Sequence, residues 1–333
     1  MKIAIVGATG LVGRKIIQLC EEYFEKSVEY HLYASKDSEG KKLLVNTKEI
    51  AIKELTSKNL ESCDLALFSA GGERSKEFAN EFVDMGAFVI DNSSTFRMEK
   101  TIPLVVYGIN ENVIEKNSKI IANPNCTTMA LVMALKPLHD CFNLVSIVPV
   151  SYQAVSGSGK SAIESLENEL SNLSNPGSAP NKNYYDSQIA KNVIPIAGNM
   201  TENGYTDEEI KFSNESKKIL DLPDLNVEPS NARVGVDTGH GIFCSATFEN
   251  SVEVSKAIES INSFEGVEYW NDSYPTPIDA EGNKNILVSR MRVGLTSDKI
   301  LNFWAVGDNL LKGAALNAVQ IAKHISNNDF YTK

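Results

Sequence analysis

Lys2-Ile-Ala-Ile-Val6, a short β-branched run, breaks at Gly7-Ala-Thr-Gly10-Leu-Val-Gly13 and passes into a segment whose apolar residues recur at helical spacing (Leu11, Val12, Ile16, Ile17, Leu19, Phe24). That order reads as strand, glycine turn, helix. Gly7, Gly10 and Gly13 permit a tight turn, close approach of backbone to a pyrophosphate, and close packing of helix on strand, while the helix N-terminus faces the phosphates. The start of the chain is therefore committed to an α/β dinucleotide-binding sheet.

A second strand, Val28 to Tyr33, runs into Ala34-Ser-Lys-Asp-Ser-Glu-Gly40, where an adenosine ribose belongs. Asp37 suits a free 2′-hydroxyl, whereas Ser35, Lys36 and Ser38 suit a 2′-phosphate, so NAD and NADP both stay open from these residues. Further apolar runs at 64–72, 87–97 and 104–107 stop at small or polar residues, as parallel strands do at their ligand-facing ends, and 74–85 reads as a crossover helix. Arg97, just past a strand end in a Ser/Thr-rich loop, is placed to grip phosphate.

The next landmark is Lys119-Ile-Ile-Ala-Asn-Pro-Asn-Cys-Thr-Thr128, where an apolar run stops at Pro124 and a helical pattern, Met129 to Leu138, begins just after Cys126. A thiol at the positive end of a helix is favoured as thiolate, which makes Cys126 a candidate nucleophile. The five cysteines are scattered, odd in number and without a Cys-x-x-Cys pair, which fits neither a disulfide framework nor a metal site. A reducing cytoplasm is the expected setting. The net charge of -11 argues against nucleic acid or anionic membrane as partner, and no run approaches a membrane span or a signal peptide. A small molecule is the expected partner.

Beyond Cys126 the pattern changes, and 333 residues are comfortable for two domains. Leu144 to Gln153 reads as a long strand and 156–161 as a turn into a helix. Gly159-Lys-Ser161 is not a P-loop, because Ala154 stands where the first glycine is required. Residues 171–205, rich in Asn, Ser, Pro and Gly, form a long excursion without an assigned structure. Thr206-Asp-Glu-Glu209 is a capping box that leaves Glu208 and Lys211 on one helix face, where an ion pair is the plainest reading. His240, between two glycines at a strand junction, is an acid/base candidate; His31, His139 and His324 are explained by packing or solvent. Strands near 286–293 and 300–306 precede a closing amphipathic helix capped by Asp308 or Asn309, whose Gly313, Ala314 and Ala315 allow close approach to the first domain.

Taken together, the Gly-x-x-Gly-x-x-Gly turn, Asp91-Asn-Ser-Ser-x-Phe-Arg97, Asn123-Pro-Asn-Cys126, Gln153-Ala-Val-Ser-Gly157, Glu208-x-x-Lys211, Arg233 with His240, and Asp308-Asn-Leu-x-Lys-Gly-Ala-Ala315 resemble the aspartate-semialdehyde dehydrogenase family over nearly the whole chain. The resemblance implies a Rossmann-type domain (1–125 with 308–333) and an α+β catalytic and dimerisation domain (126–307), in a homodimer or homotetramer. It implies NADPH-dependent reductive dephosphorylation of L-aspartyl 4-phosphate to the semialdehyde through a cysteine thioester, serving lysine/diaminopimelate, methionine and threonine biosynthesis. By the same resemblance Cys126 is the nucleophile, His240 the acid/base, Gln153 and Arg233 substrate ligands, Glu208 the partner of the substrate ammonium, and Arg97 and Lys211 ligands of inorganic phosphate. Thr9, Leu11, Val12, Ser156, Gly157 and Asn309 join the cofactor contacts.

Asp37, where an arginine that helps bind NADP is common, and Gly235 and Gly241, where Pro and Ser are more usual, depart from the family pattern. Two other readings compete. An N-acetyl-glutamyl-phosphate reductase would carry His-Pro-Gly before its cysteine, and a silent dinucleotide-binding relative would not need Cys126, His240 and the charged set together. No tyrosine has a lysine four residues on, which excludes the short-chain dehydrogenases.

Overall fold

β1 (Lys2–Val6) is fully buried from Ile3 to Val6. A strand apolar on both faces belongs in the middle of a parallel sheet. The structure, a computed structural model describing residues 1–174 and 184–328, divides into two units: Met1–Asn125 with the chain from Ala314 onward, and Cys126–Gly313.

In the first unit β1 leads through α1 (Leu11–Tyr23) to β2 (Glu29–Ala34), then to the hairpin β3 (Lys42–Val45) and β4 (Lys48–Glu54). β5 (Leu65–Phe68), α2 (Gly72–Asp84), β6 (Phe88–Asp91) and β7 (Ile120–Ala122) follow. The sheet order is β3-β4-β2-β1-β5-β6-β7, parallel except for the β3–β4 pair. The chain crosses from one side of β1 to the other after β4, which opens a crevice at the strands' carboxyl ends. Phe78, Ala79 and Phe82 of α2 pack on Tyr33, Phe68 and Val89, with Phe82 edge-on to both Tyr33 and Phe68.

The expected strand at 104–107 does not form; only Leu104 makes an isolated bridge to Ala122. Val105 N–H still donates to the Ala122 carbonyl, and side-chain amides take the place of the rest of the ladder. Val106 N–H donates to Asn110 Oδ1 and Tyr107 N–H to Asn317 Oδ1, while Asn110 and Asn317 donate back to the Leu104 and Val105 carbonyls. Those bonds satisfy backbone groups that the single bridge to β7 leaves unpaired.

The second unit begins with α3 (Cys126–Phe142) and β8 (Leu144–Gln153), then α4 (Lys160–Ser174), β9 (Val193–Ile194), α5 (Asp207–Leu220), β10 (Asn226–Val227), β11 (Ser230–Val234) and β12 (His240–Phe248). It ends with α6 (Val254–Asn262), β13 (Val267–Tyr269), α7 (Pro277–Ala280), β14 (Ile286–Val293) and β15 (Ile300–Gly307). Its mixed sheet runs β13-β14-β15-β12-β8-β11-β9, with β10 also on β8. α3 is buried almost all round, as expected of a helix under the sheet. Part of the 171–205 excursion, 175–183, lies outside the described residues; its apolar patch supplies β9.

After β15, Asp308 caps the last helical segment by accepting the Leu310 and Leu311 N–H groups, so Asp308 and not Asn309 is the cap. A π-helical turn, Leu311–Leu316, leads into α8 (Asn317–Asn327), which packs on α1, β5 and β6 of the first unit. Among the described residues no helix is long and apolar enough to cross a membrane.

Candidate active site

In the first unit the glycine turn does what its spacing predicts. Gly7 has φ +88°, and a Cβ there would lie 2.7 Å from the Ser69 carbonyl oxygen; one on Gly13 would lie 2.1 Å from the Gly7 carbonyl oxygen. α1 starts without a side-chain cap and without an acidic residue in its first turn, leaving a positive helix end. A cavity of about 490 Å³ opens there, lined by Gly7, Thr9 and Gly10 from the turn after β1 and by Ser35, Lys36 and Asp37 from the turn after β2. Its size and glycine floor fit the adenosine half of a dinucleotide. Leu11, Val12 and Gly13 do not line it, and Ser38 is buried at 9% exposure, outside the lining. Arg74 and Glu54 do line it, and the sequence reading missed both. Arg74 could have been found from its place in the first turn of the crossover helix.

Arg97 is buried and braces two strand ends: its Nε donates to the Asn123 carbonyl at 2.9 Å and its Nη2 to the Asn92 carbonyl at 2.8 Å. Asn123 in turn donates to Asn92 Oδ1 and accepts from Asn317 Nδ2. This network holds the backbone just ahead of Cys126 in the chain.

In the second unit Cys126 is the first residue of α3 and is partly exposed. Cys20, Cys63 and Cys244 are buried, and burial pushes their thiols up, Cys63 to about 12. These are packing residues. Gly313 lies against Cys126, since a Cβ on Gly313 would sit 2.8 Å from the cysteine Cβ. Ala130, one turn along α3, faces Gly307, which pairs with His240 across the β12–β15 ladder. The first turn and a half of α3 thus lies near the β15 residue that stands opposite the histidine.

One backbone residue organises the charged groups. Ala154 donates its N–H to His240 Nδ1 at 3.0 Å and accepts from Arg233 Nη1 at 2.8 Å through its carbonyl. Because Nδ1 accepts, the neutral ring carries its proton on Nε2. His240 is 1% exposed, and burial, reinforced by the Arg233 charge, lowers its pKa from 6.5 to about 3. Its Nε2 and the Arg233 Nε are buried with no hydrogen-bond partner among the described residues. A Cβ on Gly157 would lie 3.0 Å from His240 Nε2 and 3.3 Å from Arg233 Nη1, so that glycine keeps open the space in front of both. Gln153, beside Ala154, is Arg233's partner in the parallel β8–β11 register.

Glu208 and Lys211 form the ion pair expected from their spacing, at 2.7 Å, with Asp207 a second partner of the lysine at 3.2 Å. The pair is partly buried. Burial opposes the lysine's charge, but Glu208 and Asp207 outweigh it and raise the Lys211 pKa. The capping box is present, and Asn231 of β11 joins it by bonding Glu209 and Thr206, which ties the start of α5 to the strand carrying Arg233. Ser156 and Asn309 bond each other. The two glycine departures have packing causes: a side chain at Gly241 would strike the Trp304 ring at 2.0 Å, and one at Gly235 the Ile189 carbonyl at 2.8 Å.

Comparison with known proteins agrees with both units. Residues 2–117 match the model for the semialdehyde dehydrogenase NAD binding domain, and residues 135–312 that for the semialdehyde dehydrogenase dimerisation domain. The aspartate-semialdehyde dehydrogenase of Aquifex aeolicus is 41% identical, covering 97% of each chain. That of Corynebacterium glutamicum is 42% identical over 96% of this chain and 98% of its own. A crystal structure of aspartate semialdehyde dehydrogenase II from Vibrio cholerae, complexed with ASA, superposes with a TM-score of 0.95 at 36% identity, covering 98% of each chain.

Proposed function

Because the chain belongs to the aspartate-semialdehyde dehydrogenase family, we propose that it converts L-aspartyl 4-phosphate to L-aspartate 4-semialdehyde through a thioester on Cys126. The observation that carries this reading is the gap at Gly157, faced by the unpartnered Nε2–H of His240 and by the Arg233 guanidinium. A buried donor without a protein acceptor is costly unless a ligand supplies one.

In this mechanism the Cys126 sulfur, favoured as an anion by the start of α3, attacks the acyl carbon, and the bond to the phosphate oxygen breaks. The reduced nicotinamide, when bound, supplies the hydride that takes the thioester to a hemithioacetal. His240 then acts at Nε2, donating to the oxygen on which charge develops and handling the proton as the sulfur leaves. Arg233 and Gln153 hold the α-carboxylate end, Glu208 faces the ammonium, and Lys211 with Arg97 receives the departing phosphate.

NADP is the proposed cofactor, because Lys36 and Arg74 both border the cavity that would take the ribose. The enzyme would serve lysine/diaminopimelate, methionine and threonine biosynthesis in the cytoplasm, where its five free thiols stay reduced. We also propose that the half-buried aromatic face of the second sheet, Tyr152, Phe243 and Trp304 in mutual ring contact, is covered by a second copy of the chain. A single Phe243→Asp change would then shift the sedimentation coefficient to that of a monomer.

The thioester is tested by quenching the enzyme with aspartyl phosphate in the absence of reductant. A mass increase on the peptide containing Cys126, absent in Cys126→Ala, is expected. An unmodified peptide, or substantial turnover by Cys126→Ala, would remove the nucleophile assignment.

A further inference from the structure

Asn309, 3% exposed, stands between the two segments that shape the space around His240. Its Oδ1 accepts the Gly239 N–H at 2.9 Å and its Nδ2 donates to Ser156 Oγ at 2.9 Å, with Ser156 Oγ also 3.3 Å from Oδ1. Gly239 immediately precedes His240. Ser156 immediately precedes Gly157, the residue that keeps His240 Nε2 accessible.

The backbone entering His240 has little latitude. Gly239 has φ +98°, and a Cβ there would lie 2.7 Å from the Pro277 carbonyl oxygen, so this turn is pressed against the start of α7. Asn309 is itself fixed by its neighbour, because the fully buried Asp308 carboxylate accepts from the N–H groups of Gly282, Leu310 and Leu311. On the ring's other side, the Ala154 N–H to His240 Nδ1 bond selects the Nε2–H form only while the ring keeps its angle. Backbone slippage at Gly239 would rotate the ring away from Ala154 and allow the other tautomer.

We propose that Asn309 is a positioning residue: by holding Gly239 and Ser156 in one side-chain amide, it keeps His240 in the orientation and tautomer that present Nε2–H to the substrate. The proposal rests on His240 taking part in the reaction as set out above. It assigns the Asn309 amide to the protein's own backbone, where the family resemblance implies a cofactor contact.

The test uses the full chain and three variants. In Asn309→Leu the Gly239 N–H loses its acceptor. Turnover is then expected to fall about 10²-fold, the scale on which small misplacements of a reacting group act. The KM for semialdehyde and phosphate and the Kd for NADP+ should stay within about threefold, since none of these contacts is removed. Asn309→Asp still offers oxygens to Gly239 and to the Ser156 hydroxyl, and should recover most of the turnover. Ser156→Ala removes only the outer anchor and should lower kcat about threefold to tenfold without moving KM.

Long-range 1H–15N spectra of the histidine-labelled chain give a readout that does not depend on catalysis. His240 should be a single Nε2–H tautomer in the parent protein and in Asn309→Asp, and mixed in Asn309→Leu. An unchanged kcat or an unchanged ring spectrum in Asn309→Leu overturns the proposal. A weakened NADP+ affinity shared by Asn309→Leu and Asn309→Asp also overturns it, because that pattern marks a cofactor ligand. Should Asn309→Leu fail to fold, an unaltered kcat in Ser156→Ala decides against the proposal on its own. Should the parent protein not turn over aspartate semialdehyde, the functional reading fails, while the ring spectra still decide whether Asn309 orients His240.

Discussion

Gln153 and Arg233 are register partners in the parallel pair β8–β11, and the arginine is further fixed by the carbonyl of Ala154, the residue after its partner. Two side chains able to bind a carboxylate thus leave adjacent strands side by side, with Arg233 only 5% exposed. The guanidinium's planar fork can keep its Ala154 bond and still offer a pair of donors to a substrate.

Arg233→Lys retains the charge but cannot do both. We expect the KM for aspartate semialdehyde to rise about 10–100-fold, the loss of one charge-assisted hydrogen bond or a little more, with the KM for phosphate changed far less. Steady-state kinetics with each substrate varied in turn would show it. An equal rise in both constants would mean that Arg233 shapes the site and does not bind the carboxylate end.

The buried neutral histidine has a consequence for stability. His240 titrates near 6.5 when unfolded and at about 3 when folded, so between those values the unfolded chain binds the extra proton and stability falls as pH is lowered. Above pH 6.5 the effect vanishes. Between pH 7 and pH 5 it amounts to about 2 kcal/mol. Asn at this position does not titrate, so denaturant titrations of His240→Asn against the parent should show a shallower loss over that window. Parallel curves would place the ring's folded pKa near its ordinary value.

How far these features could be read from the sequence depends on whether side chains or backbone carry them. The glycine turn, the strand ahead of Asn123, the capping box at Thr206 and the glycine-flanked His240 announce themselves through residue type and spacing. The β3–β4 hairpin does not: its turn is Asn46-Thr47, both with positive φ but without a glycine, and Leu44 points outward at 65% exposure. The 104–107 run looks like a strand because its residues are apolar, yet Asn110 and Asn317, the latter far along the chain, accept the Val106 and Tyr107 N–H groups that a ladder would use. Ala154 is the clearest case. Its role lies entirely in its N–H and C=O, which every non-proline residue possesses, so no letter in the sequence could mark it.

The Glu208–Lys211 pair predicts shifts of opposite sign. Glu208→Gln removes one of the two carboxylates that share the Lys211 ammonium, leaving Asp207 at 3.2 Å. Phosphate should then bind more tightly, by a few-fold for a partly buried pair. Aspartate semialdehyde should bind about tenfold less well as its ammonium loses a partner. Both constants moving the same way would contradict the division of roles between these two side chains.

Asp37 lines the same cavity as Lys36 and Arg74, with the opposite charge. If a 2′-phosphate is held there, Asp37→Ser should raise the NADP+ over NAD+ ratio of kcat/KM by about tenfold at low salt, and less as salt screens the exposed charges. Arg74→Ala should lower the same ratio. Paired measurements with the two cofactors settle the preference, and a ratio unaffected by either substitution would take both residues out of cofactor discrimination.

Gly313 packs tightly against Cys126, the proposed nucleophile. A methyl group there would come 2.8 Å from Cys126 Cβ, closer than such atoms approach, and a tight 3.2 Å from its Cα, so either the start of α3 or the π-helical turn must give way. The Gly313 N–H is bonded to the Asp308 carbonyl at 3.0 Å, and Asp308 is itself anchored through its carboxylate, which leaves the cysteine as the more movable side. Gly313→Ala should therefore cost about 1–3 kcal/mol of stability through overpacking. It should also lower kcat by about 10²-fold through displacement of the sulfur, while the Kd for NADP+, measured separately, stays unchanged. Slower alkylation of Cys126 by iodoacetamide would show that the thiol itself has moved. A variant with full turnover would show that the site tolerates the shift and that the closeness of Gly313 serves packing alone.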